Sequence, residues 1–335
     1  MECSNIIEKV ISRAKKCIKK IVLPESTDLR ILEAASIIAS QNISQLVLLG
    51  NRDEILKKCS ENDINILSEN IEIIDPLLYV KKDLYISKLF ELRQHKGMTL
   101  ENAKELLKDN IYFGTMMVKQ NDADGLVCGA IHATQDTLRP ALQIIKQRQN
   151  LNVASSFFLM ESRNDLCSSG VYIFADCGLI QFPTEDQLVD ITNESVKSFR
   201  NLVGDEPRVA LLSYSTKGSA KSEAVNKTLN VLNKLKELKC DYIIDGELQL
   251  DAAIIPQVAR LKAQNSPVEG KANILIFPDI QAGNIGYKLT QRFGNVLALG
   301  PITQGLNKPI NDLSRGCSIN DIVGVIAITC VQANS

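Results

Sequence analysis

Gly129-Ala-Ile-His-Ala-Thr-Gln-Asp-Thr-Leu-Arg-Pro140 lies between a strand-like run and an apolar helical segment that continues through Leu142 and Ile145. Hydroxyls at Thr134 and Thr137, free N–H groups at a helix start and the charge of Arg139 together suit a phosphate group. Helix capping by Thr137 beside an exposed Arg139 explains the same residues, and both readings stay open. His132, accompanied by no Ser or Cys motif, reads as a hydrogen-bonded structural residue rather than a catalyst. Ser213-Tyr-Ser-Thr-Lys-Gly-Ser-Ala-Lys-Ser222 also follows a strand and precedes a helix, and its hydroxyls, lysines and glycine suit an anion-holding turn. It does not match G-x-x-x-x-G-K-[ST], so nucleotide hydrolysis is not implied, and a solvated loop is the alternative. In Phe277-Pro-Asp-Ile-Gln-Ala-Gly-Asn-Ile-Gly-Tyr-Lys-Leu289, glycines allow close approach of a ligand to the backbone, while Asn284, Tyr287 and Lys288 offer donors. No G-x-G-x-x-G occurs anywhere, which removes support for a dinucleotide site of that type.

A fourth stretch, Pro309-Ile-Asn-Asp-Leu-Ser-Arg-Gly-Cys-Ser-Ile-Asn-Asp321, sets hydroxyl, guanidinium, thiol and carboxylates just ahead of an apolar run, Ile322 to Val331. Dense polar chemistry beside a buried helix marks a candidate site. Ser318-x-x-Asp321 is also close to a capping box, in which Asp321 only satisfies backbone N–H groups, and on the residues alone capping is favoured. Asp312 could equally hold a turn, and Cys317 could be an inert buried thiol.

Short β-branched runs alternating with helical periods must position these stretches. Ile21–Glu25, Gln45–Leu49, Gly125–Gly129, Arg208–Leu212, Tyr242–Ile244, Ile274–Phe277 and Val296–Leu299 give the pattern of a largely parallel α/β sheet. Ligands in such sheets bind beyond the carboxyl ends of the strands. Val153–Met160 and Val171–Cys177, around the polar stretch Ser162–Gly170, read as an antiparallel pair, so the sheet is mixed. Boundaries near Gln147–Asn150 and at Gly300-Pro301 suggest two domains: a discontinuous first one, residues 1–150 plus 300–335, and a second, residues 151–299.

The chain has 335 residues, 45% apolar and 23% charged, which fits a folded enzyme-sized protein. With 38 Lys plus Arg against 39 Asp plus Glu there is no global field for nucleic acid or an anionic membrane, so an anion must be met locally. No apolar run approaches the roughly 20 residues of a membrane span. The amino terminus lacks the core of a signal peptide, and Glu2 and Glu8 argue against a transit peptide, so a cytoplasmic protein is expected. Nine cysteines without a C-x-x-C pair signal neither disulfides nor zinc, and with only His95 and His132 a histidine-rich metal site is excluded.

Taken together, Ile21-Val-Leu-Pro-Glu25 with Asp28-Leu-Arg30, Glu91-Leu-Arg-Gln-His-Lys-Gly-Met98, Asp122-Ala-Asp-Gly125, Gly129-Ala-Ile-His132 with Thr137-Leu-Arg-Pro140, Phe174-Ala-Asp-Cys177, Gly283-Asn-Ile-Gly-Tyr-Lys288 and Asn311-Asp-Leu-Ser-Arg-Gly-Cys-Ser318 with Asp321 resemble the phosphate acetyltransferases. The resemblance runs along nearly the whole chain. It implies two α/β domains with the active site in the cleft between them, a fold similar to isopropylmalate dehydrogenase, and a homodimer. It implies reversible transfer of an acetyl group between acetyl phosphate and CoA, with CoA, acetyl phosphate and phosphate as small-molecule substrates and no required cofactor or metal. By the same resemblance Asp321 is the base that takes the CoA thiol proton, Ser314 and Arg315 stabilise the transition state, and Arg93 and Arg139 hold anionic substrate groups. Thr134, Ser213, Thr216, Asn284, Tyr287 and Lys288 are looser assignments to substrate contacts.

A free carboxylate near pKa 3.9 lies about 4.6 units below a thiol near 8.5, an uphill proton transfer of about 6 kcal/mol. Burial of Asp321 and the charge of Arg315 are the expected means of closing that gap. Ping-pong transfer through Cys317 is the rival mechanism. Rival functions are a propionyl- or butyryl-specific acyltransferase, a decarboxylating dehydrogenase needing nicotinamide and a metal, and a sensor that binds acetyl-CoA without turnover.

Overall fold

In the computed structural model of the chain, residues 6–162 and 170–334 are described, so most of the turn expected at Ser162–Gly170 lies outside the described residues. The chain divides into two compact units, one of Ile7–Gln147 with Leu306–Ser335 and one of Arg148–Gly305 with Ile6. Among the described residues the strands are, in chain order, β1 (Lys20–Leu23), β2 (Gln45–Leu49), β3 (Ile71–Ile74), β4 (Gly125–Cys128), β5 (Ser155–Glu161), β6 (Val171–Ala175), β7 (Arg208–Leu212), β8 (Ile243–Leu248), β9 (Ile274–Ile276), β10 (Leu297–Gln304) and β11 (Ile310–Asp312).

The first unit holds a fully parallel sheet in the order β11-β4-β1-β2-β3. Its central strands are unbroken apolar runs because helices cover both faces, and Ile21, Val22, Leu126 and Val127 are all excluded from solvent. The helix Ile319–Gln332 is apolar all round and is buried at every position from Ile322 to Val331, where it packs on β4 and on the helix Leu29–Ser40. Two strands are absent from the pattern of the sequence. β3 is short and half-exposed. β11 has two polar residues in three, yet it is buried because Asn311 Nδ2 donates to Thr329 Oγ1 (2.8 Å) and Gln332 Oε1 (2.7 Å) on the last helix.

The second unit holds the sheet β10-β5-β6-β9-β7-β8, in which β5 runs antiparallel to both β10 and β6 and the remaining pairs are parallel. The mixed sheet expected from the sequence is therefore present. β10 continues through Gly300-Pro301, where the sequence suggested a boundary. The two residues are taken up as an irregularity between Leu299 and Ile302, and pairing with β5 resumes to Gln304. No helix among the described residues is long and apolar enough to cross a membrane.

Candidate active site

β1, β4 and β11 are neighbours in the first sheet and parallel, so the segments after Leu23, Cys128 and Asp312 emerge side by side at one edge. The segment after β1 brings Glu25, which is 2% exposed, under the segment after β4. Its carboxylate accepts from the N–H groups of Gly129 (2.9 Å), Ala130 (2.8 Å), Ile131 (3.1 Å) and His132 (3.1 Å), and Oε1 lies 2.7 Å from His132 Nδ1. The amides that precede the helix are thus taken by an internal carboxylate, which fixes the loop, while those of the helix start itself, from Thr134 on, are not among its donors. Gly129 has φ +110°, and a Cβ there would stand 2.2 Å from Asp312 Oδ1, so only glycine lets the two strand ends approach this closely.

Arg30 ties the three segments together. It stands in the first turn of the helix capped by Asp28, and its Nη2 donates to Asp28 Oδ2 (2.8 Å) and Ala130 O (2.9 Å). Nη1 donates to the carbonyls of Arg315 (2.9 Å) and Cys317 (3.1 Å). Burial pushes the Asp28 carboxyl up, but the bonds from Arg30 outweigh it and hold the group below its ordinary value.

Asp312, at the end of β11, is buried and accepts the Thr134 hydroxyl at 2.7 Å through Oδ2. Burial raises its carboxyl to about 6; the hydroxyls of Thr134 and Thr137 oppose the shift and the charge of Glu25 adds to it. Thr137 lies inside the helix Thr134–Pro140 rather than at its start, so it is not the cap; its Oγ1 is buried without a hydrogen-bond partner.

Ser314, Arg315 and Gly316 are exposed, and Cys317 N donates to Ser314 O at 2.9 Å to close the turn. Asp321 is the third residue of the last helix and does complete a capping box: Ser318 N donates to its Oδ2 (2.8 Å), and Asp321 N donates to Ser318 Oγ (3.2 Å). One carboxylate oxygen is so engaged. Cys317 is buried, and burial pushes its thiol up to about 11 against the pull of Arg30.

Arg93 ends the helix Lys82–Arg93, and its Nε is buried without a hydrogen-bond partner. Arg139 is exposed and only 3.9 Å from Asp136, too loose a pair to commit its charge. Burial raises the Tyr112 hydroxyl while both arginines oppose the shift, which brings the two cations into one electrostatic neighbourhood. Arg93, Thr134, Arg139, Ser314, Arg315 and Asp321 all lie in the first unit.

The remaining candidates lie in the second unit. The Ser213–Ser222 loop folds onto acids of β8: Ser215 Oγ and Gly218 N each donate to Glu247 Oε1 at 2.8 Å, and Lys217 Nζ donates to Asp245 Oδ1 at 2.5 Å. An internal carboxylate again occupies the turn expected to hold an external anion. Ser213 Oγ accepts from Ser215 N, and Thr216 Oγ1 exchanges hydrogen bonds with Gln249 (2.9 and 3.3 Å). Gly283 presses the helix Ile280–Gly294 onto β6's end, where a Cβ would meet Asp176 O at 2.4 Å, and Asn284 Nδ2 donates to Cys177 O at 3.0 Å. Tyr287 stacks on Phe158 with ring centroids 3.8 Å apart, and Lys288 Nζ lies 5.8 Å from the Tyr287 centroid. Among the described residues no group of three or more His, Cys, Asp or Glu could hold a metal ion.

The sequence signal that could have found Glu25 and Arg30 was present, since both stand in the first marker motif, but their partners lie about a hundred or more residues away.

Residues 5–330 match the family described as phosphate acetyl/butaryl transferase. A phosphate acetyltransferase of Thermoanaerobacterium thermosaccharolyticum is 54% identical over 330 residues, covering 98% of this chain and 99% of the relative. Among solved structures, a phosphotransacetylase from Streptococcus pyogenes superposes with TM-score 0.90 at 39% identity, covering 100% of this chain and 99% of that one. The EutD phosphotransacetylase from Staphylococcus aureus does so with TM-score 0.88 at 41% identity, covering 99% of each. A 4-hydroxythreonine-4-phosphate dehydrogenase from Klebsiella pneumoniae, 12% identical with TM-score 0.52 over 94% of this chain and 99% of its own, shares the fold alone. The chain belongs to the phosphate acetyl/butaryl transferase family.

Proposed function

We propose that the chain is an acyltransferase that moves an acetyl group reversibly between acetyl phosphate and CoA. The observation that carries this is the 54% identity, end to end, with a phosphate acetyltransferase. CoA enters as a substrate, and because phosphate is a good leaving group the chemistry calls for no metal.

In the proposed mechanism the Asp321 carboxylate takes the proton of the CoA thiol as sulfur attacks the acetyl carbonyl. Ser318 N–H engages Oδ2 of Asp321, which leaves Oδ1 for the proton. The tetrahedral oxyanion is met by the Ser314 hydroxyl and the Arg315 guanidinium, and collapse expels phosphate toward Arg93, Arg139 and Thr134. The buried Arg93 Nε without a partner supports an anion in that place. Direct attack is favoured over an acyl-enzyme on Cys317 because that thiol is buried and held protonated. Ser213, Asn284, Tyr287 and Lys288 are proposed as further substrate contacts, while the Thr216 hydroxyl, whose proton is committed to Gln249, is left to accept or to contribute shape.

We also propose a cytoplasmic homodimer. The helix Ile280–Gly294 supports the second part: Ile285 (59% exposed), Leu289 (50%) and Phe293 (88%) repeat every fourth residue as an exposed apolar stripe.

The test is thioester formation by purified protein from CoA with acetyl, propionyl or butyryl phosphate, beside Asp321→Asn. Acetyl phosphate is expected to be the best donor, and the variant to lose most of its turnover while keeping its fold. A preference for butyryl phosphate would move the assignment to the other arm of the family, and an active Asp321→Asn would leave Asp321 as a cap only.

A further inference from the structure

The two oxygens of Asp312 are in unlike situations. Oδ2 accepts the Thr134 hydroxyl at 2.7 Å, whereas Oδ1 is buried without a hydrogen-bond partner. Thr137 Oγ1, on the same helix as Thr134, makes no well-formed bond either, although its hydroxyl is near enough to favour the carboxylate a little. An ionised carboxylate in such a place is costly. Nor does a cation bonded to it offset that cost. From the β1 side it faces Glu25, itself bonded to His132; from β4 it faces the Cys128 thiol, whose ionisation burial suppresses and near which Asp109 adds further negative charge. On the helix Thr134–Pro140 the charged residues are Asp136 and Arg139, both exposed; on the loop after Asp312 there is Arg315, and in the first turn of the last helix Asp321.

A hydroxyl has one proton to give. While Asp312 is ionised, Thr134 commits that proton to Oδ2 and has only lone pairs for an incoming ligand, the wrong partner for an oxyanion. If the carboxyl is protonated, it donates to Thr134 Oγ1 instead, and the threonine proton is free to turn outward.

We propose that Asp312 is a positioning residue that takes up one proton from solvent when a phosphoryl group arrives, reversing the Asp312–Thr134 hydrogen bond so that Thr134 donates to the bound anion. The proton returns to solvent when the anion leaves, and no covalent bond of the substrate changes in the step. This rests on the reading of Thr134 as a phosphoryl contact.

The sign follows from linkage. Anion binding favours protonated Asp312, so affinity is highest at low pH and falls as pH climbs past about 6, the value to which burial brings the free carboxyl. Sulfate is the probe, because it keeps its charge throughout. Its inhibition constant against acetyl phosphate is measured on the whole chain from about pH 5.5 to 8. The wild type is expected to weaken by up to about tenfold per pH unit within that range. Asp312→Asn exchanges no proton whichever way its amide turns, so its inhibition constant is expected to be flat, although His132 and Glu25 remain in place. A wild-type slope in Asp312→Asn would overturn the proposal.

Thr134→Val and Thr134→Ser guard against an Asp312→Asn that fails to fold. The valine variant is expected to bind sulfate at every pH as weakly as the wild type does at high pH, and serine to restore the slope. If Thr134→Val binds sulfate as the wild type does throughout, the anion does not meet Thr134, and the reading beneath the proposal falls with it. If Thr134→Val weakens binding but keeps the slope, the phosphoryl contact stands and the proton assignment alone fails.

Discussion

Arg30 holds Arg315 by its backbone: Nη1 of the first donates to the carbonyl of the second at 2.9 Å across 285 residues of sequence. The same guanidinium reaches Cys317 O, Ala130 O and Asp28, so one planar cation sets the position of the loop that carries Ser314 and Arg315. Lysine keeps the charge but cannot make the fork. Arg30→Lys is expected to lower kcat by about 10²-fold through misplacement of that loop. The melting temperature should fall by a few degrees as charge-assisted bonds are lost. Steady-state kinetics and thermal unfolding check both, and a variant with full kcat would show that the clamp is not needed.

Capping and chemistry at Asp321 can be separated through its partner. Ser318→Ala removes the hydroxyl that receives Asp321 N–H but leaves the carboxylate, so it is expected to cost about 1 kcal/mol of stability with turnover largely kept. Asp321→Asn should destabilise no more than this and yet lose most activity. Denaturant unfolding and thioester assays on the pair distinguish the roles; equal loss of activity in both would make the cap itself the essential element.

Cys317 is expected to be dispensable. Burial holds its thiol at about 11, so at neutral pH little thiolate exists to attack a carbonyl or an alkylating agent. Cys317→Ala should keep most of the turnover, and iodoacetamide should label the native protein at this site slowly, as read by mass spectrometry. An inactive but folded Cys317→Ala would revive the acyl-enzyme route.

The stripe on the helix Ile280–Gly294 gives a direct test of assembly. Leu289→Glu with Phe293→Glu should shift the protein to monomer mass in sedimentation without loss of helix content, because neither side chain is buried within its own chain. A double variant that sediments as a dimer would place the interface elsewhere.

The strands legible in the sequence were those that are apolar after their first residue, such as Gln45–Leu49 and Arg208–Leu212, because burial on both faces leaves an unbroken hydrophobic run. β11 escaped because its burial is achieved by hydrogen bonding of Asn311 rather than by apolar side chains. The candidate loops were legible as dense polar segments after strands, but not their occupants. Nothing in the sequence assigns partners to Glu25 or Glu247, which the fold sets against the amides of Gly129–His132 and of Gly218. Sequence pattern carries the local turn and not the distant side chain that fills it.

The helix Ile319–Gln332 begins at the candidate base and is buried over the ten residues that follow Asp321. A segment so enclosed opens only when the domain does, so its amides are those that exchange last with deuterated solvent. Asp321 is thus attached to the slowest-exchanging part of the unit, while the exposed side chains of Ser314 and Arg315, on a loop whose backbone Arg30 holds, change rotamer on the fast timescale of surface side chains. The two halves of the proposed chemistry, proton removal and oxyanion stabilisation, are mounted on parts of the chain with different clocks.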